Sequence, residues 1–111
     1  MIAGFIAPGP QLKSVVIRGL GPGLRGLGIT NALADPTIEI HNSQGQLMQS
    51  NAGWQTDPTS QLYVQIFGLV PSNTSDSALY EQLGPGSYTV ILRSASGATG
   101  VGLIEVYDVD Q

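Results

Sequence analysis

The chain has 111 residues, 41% of them hydrophobic and only 11% charged, with a net charge of −4 and no cysteine. That length supports one domain, residues 1–111, around a single hydrophobic core. Its four basic residues, Lys13, Arg18, Arg25 and Arg93, cannot build the cationic stripe that nucleic acid requires. The missing thiols exclude disulfides and thiolate metal centres, and no apolar run reaches the roughly 18 residues of a membrane-inserted helix. The charged fraction is less than half the usual ~25%. Ser, Thr, Asn, Gln and Gly must therefore dress the surface, and copies of the chain repel one another little, as in secreted β-proteins and proteins that stack on themselves.

"IAGFIA", residues 2–7, is a short apolar segment closed by "PGPQ". It has no basic lead and too short an apolar stretch for a signal peptide, which suits a cytosolic chain, a mature chain or a module of something longer. "KSVVIRGL" alternates as a strand, with Val15 and Ile17 on one face and Val16 and Arg18 on the other. A Gly-rich connection of about sixteen residues, longer than most, leads to "ADP". "TIEIHN" then keeps strict period two, with Ile38 and Ile40 inward and Thr37, Glu39 and His41 outward. "SQGQ" turns at Gly45 and "LMQS" returns, which predicts a hairpin.

The stretch "DPTSQLYVQIFG" fits a short helix, with Asp57 as N-cap, Pro58 at the first position and Gly68 as stop. Its β-branched and aromatic content also permits a strand; the helix is preferred. "SALYEQL", "SYTVILRSA" and "VGLIEVYDV" read as strands, with "GPG" at 84–86 as a tight turn and "SGATG" as a hairpin loop. Seven or eight short strands with turn signals about every ten residues define an all-β fold: a single antiparallel sandwich interrupted by at most one short helix.

Within the Gly-rich connection, Gly21, Gly23 and Gly26 form a literal G-x-G-x-x-G after a strand, and Glu39 follows eighteen residues after Gly21. A dinucleotide site needs a helix next, whose N-terminal amides hold the pyrophosphate. Here Gly26, Gly28 and Pro36 leave only "ITNALA" for it, under two turns, and no strand–helix unit repeats. The glycines are expected instead to serve a surface loop, with Leu24, Leu27 and Ile29 packing on the sandwich end or on a neighbouring copy.

No catalytic set emerges. His41 is a lone histidine expected at the outward end of a strand, G-x-S-x-G is absent, and the acids lack a metal-loop spacing. No cofactor is expected; a structural calcium ion would use Asp57, Asp76 or the Asp108/Asp110 pair, although acids marking turns explain these better. Arg18 and Arg93 suit a solvated sheet face or a fork to Glu39, Glu105 or Asp35 that pins the long loop. Trp54 is expected as a core plug; exposed, it would be the ring on which a sugar stacks.

The segments "KSVVIRGLGPGLRGLGITNALADPTIEIHNSQGQLMQSNAGW" and "SALYEQLGPGSYTVILRSASGATGVGLIEVYD" resemble a module repeated in very large exported proteins of environmental bacteria. Its pattern is roughly V-I-R-x-x-G-P-x-L, A-L-A-D-P-x-(I/L)-E, N-x-x-W, L-x-P-G-x-Y-T and G-x-G-(L/V)-x-E-V-Y-D. Ala95-Ser96 is less Gly-rich than that pattern. The module is similar to the prepeptidase C-terminal-type domains of secreted bacterial enzymes. The resemblance implies a jelly-roll-like sandwich in a secreted or cell-surface protein and no known activity; it also places "IAGFIA" as the first strand, so that Met1 need not be a natural start.

The expectation is a non-enzymatic extracellular structural or adhesion module, a homo-oligomer or polymer built by strand addition, with no nucleic acid and no membrane insertion. Residues 1–7 would be the exchangeable strand, and Ile2, Phe5 and Ile6, with Leu24, Leu27 and Ile29, the contacts between copies. The alternative is a carbohydrate-binding module of a secreted bacterial protein, with Trp54 on the glycan.

Overall fold

The computed structural model describes residues 1–110. The strands are β1 (Ile2–Ala7), β2 (Lys13–Leu20), β3 (Pro36–His41), β4 (Leu47–Asn51), β5 (Ser77–Leu83), β6 (Gly86–Ser94) and β7 (Leu103–Asp108), with one α-helix, α1 (Pro58–Ile66). They form two antiparallel sheets, ordered β1-β6-β3-β4 and β5-β2-β7, so the all-β sandwich expected from the alternation is what the chain builds. Only β3 and β4 are consecutive strands of one sheet; every other connection crosses between sheets, in jelly-roll fashion.

Period two explains the core. Val15 and Ile17 of β2, Ile38 and Ile40 of β3, Leu79 and Leu83 of β5, and Tyr88, Val90 and Leu92 of β6 meet in one buried cluster between the sheets, joined by Ala7 and Leu33. Phe5 of β1 stacks on Tyr88, with ring centroids 5.7 Å apart, and the Tyr88 hydroxyl donates to the Gly84 carbonyl at 2.6 Å. β1 is thus held on its own sheet by an aromatic pair as well as by its ladder.

The opposite face of β2 is not left to solvent. Val16 and Ala78 lie under α1 in a second small core with Val64 and Trp54. The helix forms where Asp57, Pro58 and Gly68 predict it: the Asp57 carboxylate accepts the Ser60 amide at 3.3 Å, and Gly68 takes φ 69° just past the C-cap. Tyr63 stacks on Tyr80 at 4.0 Å, while Leu62 and Ile66 face outward.

One expectation needs correction. The segment "SGATG" is not a hairpin loop, because β6 and β7 belong to different sheets. Asp35 takes the Ser94 hydroxyl at 2.6 Å and the Ser96 amide at 3.0 Å, tying the end of β6 to the entry of β3. Val101 then bridges to Ala32, and Gly100 lies against Leu33, where a Cβ would come within 2.8 Å of the backbone. Within the Gly-rich connection, Pro22–Leu27 forms a 3-10 helix that ends at Gly28 with φ 91°. Trp54 is the core plug expected of it: it is only 7% exposed beneath α1, so the alternative reading keeps no exposed ring for a sugar.

Candidate self-association edge

A sandwich of two open sheets has four edge strands, and here they differ sharply. A free edge offers unpaired N–H and C=O groups to any passing strand, and proteins usually block it with charge, proline, bulges or a covering element. β5 is covered. Its outward amides at Ala78, Tyr80 and Gln82 donate to Asn51 Oδ1 (3.0 Å), Ser60 Oγ (3.0 Å) and Glu81 Oε1 (3.1 Å). β7 carries Glu105 and Asp108, the latter 3.0 Å from Lys13.

β1 has none of these devices. Its sequence, "IAGFIA", holds no charge and no proline. The backbones of Met1 and Leu92 exchange hydrogen bonds in both directions, at 3.1 and 2.9 Å. In an antiparallel ladder such pairs alternate with non-bonded ones. The register Ile2↔Ile91, Gly4↔Thr89 and Ile6↔Ser87 therefore turns the amides of Ile2, Gly4 and Ile6 toward the open edge. The side chains of Ile2 and Ile6 are 70% and 75% exposed, whereas Phe5 is turned into the core. Of the three β1 residues expected at a contact between copies, Ile2 and Ile6 are presented and Phe5 is engaged at home. Beside them, Val106 of β7 lines the same cleft between the two sheets as Phe5, Ile6 and Ala7.

The loop residues divide differently. Leu24 is buried in a third small cluster with Leu20 and Ala32, and Ile29 packs against it. Leu27 is 77% exposed, so the packing expected of it on its own sandwich is not made. The 3-10 turn carries Leu24 into that cluster, and Leu27, its last residue, stands outside it.

The glycine pattern itself has an internal partner. The amides of Gly21 and Gly23 converge on Asp76 Oδ1 at 2.9 and 3.2 Å, inside the protein. The chain's own carboxylate fills the concavity that a phosphate would occupy in a nucleotide-binding turn. A Cβ on Gly21 would collide with the Leu33 carbonyl, and one on Gly23 with the Asp76 carboxylate, so both positions need glycine for close approach. Sequence reading placed Asp76 in a polar loop and missed this role; its burial depends on a contact 53 to 55 residues away in sequence.

Several of the remaining charged groups form small surface pairs, Arg93 with Glu39 at 3.6 Å among them. Arg18 reaches Glu105 at 2.6 Å and donates to the Leu69 carbonyl at 3.2 Å, so it fastens the segment after α1, not the long loop. Asp57 caps α1, Asp108 and Asp110 flank Lys13, and among the described residues no three His, Cys, Asp or Glu side chains converge as metal ligands.

His41 lies 2.9 Å from Glu39 through Nε2 and 3.2 Å from the Gly45 carbonyl through Nδ1. Both ring nitrogens face acceptors, which favours the protonated ring. The hydrogen bond to Glu39, followed by that to Gly45, holds its pKa above the ordinary 6.5. A raised folded-state value means the stabilisation is complete below about pH 6.5 and fades as pH rises through the folded value. Urea melts at pH 5.5 and 8 should show a pH-dependent gain that His41→Ala lacks; equal pH dependence in both proteins would disprove the pairing.

No family model, no curated protein and no solved structure matches this chain.

Proposed function

We propose that this chain is a non-enzymatic structural module that joins copies of itself by strand addition at β1, in an assembly outside the cell. One observation carries the reading: β1 is an edge strand with three outward amides, two exposed isoleucines and no blocking group, in a molecule whose β5 edge is capped amide by amide. An antiparallel strand added there would satisfy the orphan backbone groups and cover Ile2 and Ile6 together. The low charge supports the same reading, since little repulsion opposes association. The extracellular location rests on the resemblance of the quoted segments to modules of exported proteins. A glycan-binding role retains no named contact, because the ring of Trp54 is buried.

The reading predicts concentration-dependent sedimentation for the full chain. A lysine at an edge position is a natural block to strand pairing. Ile6→Lys should therefore give a monomer at every concentration, with thermal unfolding near the wild-type value because Ile6 is 75% exposed. A wild-type chain that stays monomeric throughout, or an Ile6→Lys chain that associates like wild type, would overturn it.

A further inference from the structure

We infer that the strand received by β1 is β4 of the next copy, so that copies join head to tail into an open filament. The inference rests on the association at β1 and names its partner surface. The four-stranded sheet has the order β1-β6-β3-β4, and every neighbour is antiparallel. With an even number of alternating strands, the two edges run in opposite directions. A second copy moved sideways in the same orientation then lays its β1 antiparallel to β4 of the first, and the sheet continues without a break in pattern. The three-stranded sheet, β5-β2-β7, lacks this property: its two edges run the same way, and side-by-side copies would meet in parallel.

The edges match in other respects. β4 spans five residues, "LMQSN", and β1 spans six; neither holds a charge or a proline, and β4 carries one bulge, at Met48, where its register to β3 shifts. Leu47 is 56% and Met48 39% exposed, offering apolar contact to Ile2 and Ile6 of the incoming strand. Joining copies through the other sheet would bring Glu81 of β5 alongside β7, whose Glu105 and Asp108 are already engaged by Arg18 and Lys13 of their own chain, so charge offers that edge no attraction. Because the donor and acceptor edges are different surfaces of one chain, the contact is heterologous and each added copy exposes a fresh edge.

Two edge-blocked chains separate this arrangement from its rivals. Ile6→Lys keeps β4 open and Leu47→Lys keeps β1 open. Each should sediment as a monomer alone, and a 1:1 mixture should double to twice the 11.6 kDa chain mass without growing further. Leu47→Lys dimerising alone while Ile6→Lys stays monomeric would show β1 pairing with β1, which overturns the head-to-tail contact and leaves strand addition at β1 standing. A mixture that stays monomeric while wild type assembles would overturn the contact as well. A monomeric wild type would overturn both readings. The chain lacks cysteine, so a cross-linking version is direct: Ile6→Cys and Leu47→Cys should join to each other through a short thiol-reactive linker, and neither to itself.

Discussion

Replacing Asp76 by alanine is expected to cost about 3 kcal/mol of folding stability, from the loss of two hydrogen bonds to a charged acceptor and the stranding of buried donors. Asp76 is fully buried, and its Oδ1 accepts the amides of Gly21 and Gly23 at 2.9 and 3.2 Å. Its main-chain carbonyl also accepts the Trp54 amide at 3.0 Å, so the residue joins the Gly-rich turn to the Trp54 loop. Alanine keeps the carbonyl contact but leaves two glycine amides, Gly21 buried and Gly23 partly buried, without an acceptor. Asparagine is the informative contrast. Among the described residues only Oδ1 is used, and Oδ2 meets no hydrogen-bond partner. An amide carbonyl can take over the work of Oδ1, while the Nδ2 that replaces Oδ2 is buried without an acceptor, so Asp76→Asn should cost about 1–2 kcal/mol, less than alanine. Urea titration of the three proteins measures this directly. Equal losses for alanine and asparagine would mean that charge, not acceptor geometry, holds the turn.

Trp54→Ala should cost about 3–5 kcal/mol, the range for emptying a large aromatic site in a core. The ring packs with Val16, Val64 and Ala78 beneath α1. The loss should appear as a lower urea midpoint with little change in the slope of the transition. A fully stable Trp54→Ala protein would mean that the ring is not the plug placed here. The same substitution would mimic a binding defect in any sugar assay by loosening α1, which makes stability the measurement to take first.

Much of this architecture was legible in the chain. "TIEI" and "YTVIL" alternate because each strand has one face in the core, and "SVVI" is apolar on both faces because α1 covers the second. The helix was legible for a local reason: Asp57, Pro58 and Gly68 are start and stop signals within a single segment. What stayed hidden depends on distant contacts. The crossover from β6 to β7 is set by Asp35 and by the Ala32–Val101 bridge, and neither leaves a mark in "SGATG". Asp76 sits among Ser, Asn and Thr and looks like any turn acid, because its partners lie more than fifty residues earlier. The apolar character of β1 was visible in its letters. That its open side carries the amides of Ile2, Gly4 and Ile6, and that β4 runs opposite to it at the far edge, follow only from strand order.

Those three amides provide the most direct test. Amide hydrogen exchange of the wild-type chain, read residue by residue across a dilution series, separates a used edge from a free one. The account predicts that Ile2, Gly4 and Ile6 exchange fast in dilute solution and become protected as concentration rises, while Ala3 and Phe5, paired with β6, stay protected throughout. Fast exchange of Ile2, Gly4 and Ile6 at every concentration would contradict it.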